Sequence, residues 1–414
     1  MSLADSHTIV VDLGYGDAGK GTTIDWLCAQ AVSAGRKPSV IRFNGGAQAA
    51  HNVVASDGRH HTFAQLGSGT LHGVRTHLSC FMAVDPIALS AEADALAAVG
   101  VPMVWDLVTV DEGALLTTPW HRAANRIRES RRGADRHGSC GMGVGETVAF
   151  SLARPDDAPR AGDVLAPRRL AARLTAVRDA LTAELGDLGY EPPVSAVADA
   201  FTAFASRVSI VSTSHVRRLL ADGPCFFEGA QGILLDEWWG WHPDTTWSTT
   251  TFANAESLLD GVSAYRLGVV RTYTTRHGPG PLVTYCPSLS ARLLDVHNGD
   301  GQWQGAFRVG HFDAVAHRYA IEVSGGVDGL CLTHLDASVP SLCDAYADGT
   351  QRLVPGEFGD LAYQEKLTNY LTSAEPVLTP VTSWVPAVAS ALSTPVVLES
   401  RGPTALDKRA SSTE

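Results

Sequence analysis

The chain has 414 residues, 45% of them hydrophobic and 18% charged, with a formal net charge of -12. That is globular composition with ample material for a large core, and the acidic balance argues against nucleic acid as a partner, which needs a basic surface. No window approaches the roughly 18 apolar residues of a membrane span, and the start MSLADSHTIVV lacks a basic segment and a long apolar run. The seven cysteines (28, 80, 140, 225, 286, 331 and 343) are scattered, with none at the two-residue spacing of zinc or redox motifs. A soluble, cytoplasmic protein without nucleic acid or membrane as partner is expected.

In chain order, the apolar run HTIVVDL predicts a strand, GYGDAGKG (14–21) a glycine-rich turn, and 22–34 a helix. The turn is close to a P-loop, whose amides and lysine hold phosphates while a Ser or Thr hydroxyl ligates magnesium. Gly14, Gly19 and Lys20 fit that pattern, but Gly21 occupies the hydroxyl position and Asp17 places a carboxylate where an anion is expected. Lys20 is one of four lysines in a chain that otherwise uses arginine. Further buried strands are predicted at 39–43, 209–213, 225–230, 267–275, 329–336 and 394–400, and helices at 86–98, 117–131, 166–186, 195–206 and 384–393. The alternation implies an α/β fold, a mostly parallel central sheet flanked by helices with a P-loop-like nucleotide-binding core and large insertions. The arginine-rich RIRESRRGADRH from Arg126 reads as a solvated helix face. Residues 153–169 read as an exposed connection, and the polar end LDKRASSTE as disorder.

Strand ends of an open α/β sheet are where ligands bind, and four loops stand there. FNGGAQAAHNVV (43–54) carries His51, RHGSCGMGVGETV (136–148) is a second glycine-rich stretch, FEGAQGILLD (227–236) carries Glu228 and Gln231, and THLD (333–336) ends another strand. Together and in order, GYGDAGKG, NGGAQAAH, FEGAQGILLD, TRHGPGP, LTHLD and SRGP resemble the adenylosuccinate synthetase family across residues 8 to about 404.

The resemblance implies a single domain over 1–404, with insertions at about 86–206 and 281–325 and a disordered tail at 405–414. It implies GTP as co-substrate, Mg2+ as cofactor, and a ligase that phosphorylates the 6-oxo group of IMP or a similar purine nucleotide and joins an amine, by default L-aspartate, to C6. Asp17 matches the base that removes the ring N1 proton, and His51 the histidine that stabilises the transferring phosphoryl group. Lys20 and Gln231 complete the catalytic set, with Asp17 and the carbonyl of Ala50 as metal ligands. The nucleotide substrate falls to Gln48, Cys140, Gln231, Thr246 and Arg154, the last reaching a neighbouring site and so implying a homodimer. GTP falls to Gly16, Gly19, Lys20, Gly21, His334, Asp336, Ser400, Gly402 and Pro403, with Asp336 accepting two hydrogen bonds from guanine that adenine cannot donate. Departures also show: Gln48 replaces asparagine, Cys140 threonine, His334 lysine and Met142 an arginine, and of the arginines that clamp the amino acid's carboxylates in the 301–308 loop only Arg308 remains. L-Aspartate is therefore expected to bind poorly. The alternatives are a specialised-metabolism paralogue with another amine or lactam, and a non-catalytic GTP-binding regulator, against which Asp17 with His51 argues.

Overall fold

The computed structural model describes residues 3–133, 136–189, 191–293 and 303–411. Ten strands form the central sheet, in the order Lys408–Ala410, Val396–Ser400, Gly329–Thr333, Tyr265–Arg271, Thr8–Asp12, Cys225–Glu228, Ser39–Arg42, Arg75–Leu78, Val108–Asp111 and Ser209–Val211. All neighbours are parallel except the edge strand Lys408–Ala410, which runs antiparallel to Val396–Ser400. Thr8–Asp12 and Cys225–Glu228 are buried at every position, as central parallel strands covered on both faces must be. The chain builds outward from Thr8–Asp12 to one side, returns to insert Cys225–Glu228, and then builds to the other side. That reversal makes the carboxyl ends beside Thr8–Asp12 a topological switch point, the place where an open α/β sheet forms a crevice.

The predicted helices are present at Lys20–Ser33, Pro86–Ala98, Pro119–Arg132, Pro167–Leu185, Val194–Ala205 and Trp384–Leu392. Their starts follow local rules: Asp85 accepts from the amides of Ile87 and Ala88 at 3.0 Å, and Pro86 and Pro119 occupy first-turn positions where no amide proton is needed.

Three expectations are corrected. The run 267–275 is not one strand: Tyr265–Arg271 belongs to the central sheet, while Tyr273–His277 joins a separate four-stranded sheet beside Phe307–Asp313. The stretch 86–206 is not wholly an insertion, because Val108–Asp111 lies in the central sheet. The end from 405 is not disordered through residue 411: Ala405–Asp407 forms a 3-10 turn and Lys408–Ala410 an edge strand, tied down by Arg409 and Ser411 donating to Glu399; residues 412–414 lie outside the described residues.

Buried histidines carry a pH signature. Burial pushes His77 and His121 down to about 3, and burial pushes Asp313 up to about 6. Between about pH 6.5 and 3 the unfolded chain therefore binds protons on both histidines that the folded chain does not, so stability falls as pH falls. From about pH 7 to about pH 5 this costs roughly 2 kcal/mol per histidine, and Asp313, protonated first in the folded state, returns roughly 1.4 kcal/mol. A net loss of about 2–3 kcal/mol is expected in denaturant titrations at the two pH values; an unchanged midpoint would show these histidines are protonated when folded.

Candidate active site

A cleft of about 1140 Å³ opens at the switch point. The carboxyl-end loops supply its walls, and Asp17, Lys20, Gln48, Ala50, His51, Cys140, Gln231, Thr246, His334 and Asp336 all line it, with Gly16, Gly19, Gly21, Ser400, Gly402 and Pro403. Arg154 and Arg308 do not.

The glycine loop is shaped from beneath by Asp12, whose importance the sequence reading missed. Its Oδ1 accepts from the amides of Gly14 at 2.8 Å and Gly16 at 3.3 Å, and its Oδ2 from the amide of Ala18 at 2.8 Å and from Lys20 Nζ at 3.1 Å. Both side chains of the Asp12–Lys20 pair are buried. The loop thus carries its own internal anion, and Asp17 turns out of it at φ 61°, a left-handed conformation that aspartate tolerates better than most residues. Arg271 holds the Asp17 carbonyl at 3.0 Å. Against this loop packs GAQG: a Cβ on Gly232 would meet the Gly14 carbonyl at 2.2 Å, so only glycine allows the approach that sets Gln231, at φ 66°, on the cleft wall.

Gly21 answers why the P-loop hydroxyl is absent. A Cβ there would lie 2.6 Å from His51 Cβ and 3.0 Å from Ser68 Oγ, so the space belongs to the histidine. Restoring the P-loop consensus with Gly21→Ser is therefore expected to harm, not help. Overpacking should cost about 1–3 kcal/mol, and displacing His51 by ~1 Å should lower kcat up to ~10²-fold, read by melting and turnover. Activity equal to wild type would show that His51 need not sit against the loop.

His51 Nδ1 lies 2.6 Å from Oε1 of Glu228, a fully buried carboxylate at the end of its strand. Glu228 also accepts from the Ser68 hydroxyl and, at 2.9 Å, from the Ser68 amide. Burial pushes Glu228 up, but the His51 bond, the Arg42 charge and the Ser68 bond outweigh it and bring it below the usual range. Burial, with the charges of Arg42 and Lys20, pushes His51 down more than Glu228 raises it. The pair is thus an ionised glutamate accepting from a neutral imidazole, leaving the other ring nitrogen as the free one. Glu228 was legible as a strand-end carboxylate, but its partner lies 177 residues away.

At the opposite end, Thr333 donates to the Ala18 carbonyl at 2.7 Å and joins the base-side loop to the glycine loop. His334 accepts from Arg271 at 3.0 Å and pairs through Nδ1 with the Thr333 hydroxyl at 2.9 Å. Burial, then the charges of Arg271 and Lys408, holds it neutral, well below its ordinary value. Asp336 is exposed, and among the described residues its carboxylate has no hydrogen-bond partner. On the nucleotide side, both polar atoms of the Gln48 amide are buried without a partner among the described residues, a cost that a bound group or a water would relieve. Thr246 is held by its amide on the Leu235 carbonyl at 2.8 Å, and burial pushes the Cys140 thiol up.

Arg154 sits exposed at the end of the helix Val144–Ala153, with its guanidinium 3.8 Å from Asp157. Arg308 donates to the carbonyls of Gly278 and, at 2.9 Å, Gly280. Residues 301 and 302 of its loop lie outside the described residues. No cluster of three or more His, Cys, Asp or Glu that could hold a metal occurs among the described residues, and no helix there is long and apolar enough to cross a membrane.

The family model described as Adenylosuccinate synthetase matches residues 9–396. An adenylosuccinate synthetase from Neisseria meningitidis serogroup C (strain 053442) is 35% identical over 347 residues, 80% of this chain and 77% of its own. One from Marinomonas sp. (strain MWYL1) is 31% identical over 411 residues, 93% and 89% of the two chains. Among solved structures, fully ligated adenylosuccinate synthetase from Plasmodium falciparum shares the fold at TM-score 0.83 and 21% identity, covering 98% of this chain and all of its own. The succinoaminodeoxyadenylate synthetase of cyanophage S-2L, bound to dGMP and to dATP as energy donor, does so at TM-score 0.62 and 20% identity, covering 99% and 96%. With the motif loops gathered on one cleft and matches of this extent, the chain belongs to the adenylosuccinate synthetase family.

Proposed function

We propose that this chain uses GTP to phosphorylate the 6-oxo oxygen of IMP or a close purine analogue, then joins an amine, L-aspartate by default, to C6. The observation that carries the reading is the meeting of the Asp17 carboxylate and the Glu228-backed His51 on one cleft with Asp336, whose carboxylate has no partner among the described residues. Asp17 takes the N1 proton of the ring, which makes O6 nucleophilic toward the γ-phosphorus; GDP leaves, and the amine then displaces phosphate from C6. A general base positioned in this way contributes ~10²–10⁴-fold. When its second ring nitrogen takes up a proton, with ionised Glu228 balancing the imidazolium, His51 donates to the transferring phosphoryl group, where negative charge develops. Lys20 and the glycine-loop amides not held by Asp12 bind phosphates. Gln231 contacts the purine, and Gln48, Cys140 and Thr246 its 5' group.

Mg2+ usually takes only one or two protein ligands, completing its shell with phosphate oxygens and water, so the Asp17 carboxylate and the Ala50 carbonyl on the cleft wall suffice to hold it. When bound it supplies positive charge against the phosphates. Arg154, exposed beside the 70% exposed Leu152, would serve a neighbouring subunit's nucleotide site in a homodimer.

The decisive experiment is phosphate release with GTP, Mg2+ and IMP across a panel of amines. Release that requires both nucleotide and amine is expected; none with any amine would leave a nucleotide-binding protein without turnover. Guanine recognition has its own test. Asp336→Asn should raise the GTP KM ~10–150-fold, the worth of hydrogen bonds to a charged group, leave the IMP KM unmoved, and improve use of xanthosine triphosphate, whose C2 carbonyl can accept from the new amide. An unchanged GTP KM would place base recognition elsewhere.

A further inference from the structure

The amine must reach C6, the ring atom next to the N1 that Asp17 serves, so its binding site adjoins Asp17. The strands Tyr273–His277 and Phe307–Asp313 set that boundary. Their antiparallel register places His277 opposite Phe307 and Arg276 opposite Arg308. Directly opposed residues share a face and successive ones alternate, so the His277–Phe307 pair and the two arginines lie on opposite faces of the ribbon. His277 is the one brought beside the base: it lines the cleft, its Nε2 lies 3.5 Å from Asp17 Oδ2, and its ring centroid is 4.7 Å from that of Phe307.

The guanidinium groups nearby are engaged elsewhere. Arg276 donates to the carbonyls of Pro281 at 3.0 Å and Asp244 at 2.9 Å and lies over the Tyr15 ring. Arg308 donates to Gly278 and Gly280, and Arg126 donates to the Gly141 carbonyl at 3.1 Å and lies over Trp303. Of the other arginines lining the cleft, Arg128 pairs with Glu146 and Glu184 and Arg132 with Glu129; the lining also includes His137, Met142, Pro279 and Gln304.

We propose that His277, with Phe307 behind it, is the specificity-determining residue of the amine subsite, and that it selects a nucleophile with no more than one carboxylate. The imidazole, its ring backed by that of Phe307, meets that single polar group. A second carboxylate would be stripped of water without a charge-assisted partner. The inference rests on the ligase reading above.

It is tested on the full-length protein with GTP, Mg2+ and IMP, comparing L-aspartate with glycine, L-alanine and L-phenylalanine in wild type, His277→Ala, His277→Gln and His277→Arg. Wild type should favour a monocarboxylate amine over aspartate by at least ~10-fold in kcat/KM, the worth of one charge-assisted hydrogen bond. His277→Ala should lower kcat/KM for that amine by a similar factor with the KM values for GTP and IMP unmoved. His277→Gln, which keeps a donor, should recover part of the loss, and His277→Arg should shift preference toward aspartate. Phe307→Leu, a milder change that loosens the ring behind His277, should reduce discrimination among the monocarboxylates even if a His277 variant fails to fold. Preferred turnover of aspartate by wild type, with amine kinetics indifferent to both positions, would overturn the inference and leave the ligase reading standing. Absence of phosphate release with every amine would overturn both.

Discussion

Asp17→Asn is expected to lower kcat by ~10²–10⁴-fold, the range for loss of a positioned general base, while GTP still binds. The substitution is discriminating because it changes so little else. Asparagine accepts the left-handed backbone that Asp17 adopts at φ 61°, the Arg271 bond goes to the residue's carbonyl and not its side chain, and the loop amides and Lys20 are held by Asp12. Loop shape and phosphate contacts should therefore survive, and the asparagine carbonyl can still face Mg2+ as a neutral ligand, while the ability to take the ring proton is lost. Steady-state kinetics paired with GTP titration would check it; a variant retaining a tenth of wild-type turnover would end the assignment of Asp17 as base.

Glu228→Gln should be the second most damaging change, and through a different route. Glu228 is fully buried and accepts from His51, the Ser68 hydroxyl and the Ser68 amide. A glutamine offers one oxygen where three donors converge, so its amide nitrogen must face a donor. It also removes the negative charge set against buried Arg42. About 1–3 kcal/mol of stability should be lost for the unsatisfied donor. Turnover should fall at least ~10²-fold as the imidazole loses its fixed orientation and tautomer, with the GTP KM nearly unchanged because the phosphate-binding loop rests on Asp12. Thermal melts and kinetics read the two effects separately; kcat within threefold of wild type would show that His51 is held by packing alone.

His277 and Arg308 show how far the neighbourhood of a reacting atom departs from what its loop sequence implies. TRHGPGP was legible as a family motif, yet its histidine drew no role, and Arg308 was assigned to the amine because it was the arginine left in the loop. Which of the two faces the cleft depends on the phase of each residue in a two-stranded ribbon. That phase is decided by the pairing of His277 with Phe307 across 30 residues.

What the sequence determined by itself is what rests on local chemistry. Runs such as TIVVD and CFFE read as buried strands, Pro and Asp mark the start of the helix at Pro86, and the loops after the strands were placed with Asp17, His51, Gln231 and Asp336 in them. Only the tertiary structure decided that Asp12 takes the loop amides, that Glu228 backs His51, that His51 fills the space a P-loop hydroxyl would need, that 267–275 breaks between two sheets, and that the end from 405 returns as an edge strand. Each of these joins groups far apart in the chain or depends on strand register, and a hydrogen bond or a steric exclusion between distant residues leaves no trace in the composition or periodicity of either segment.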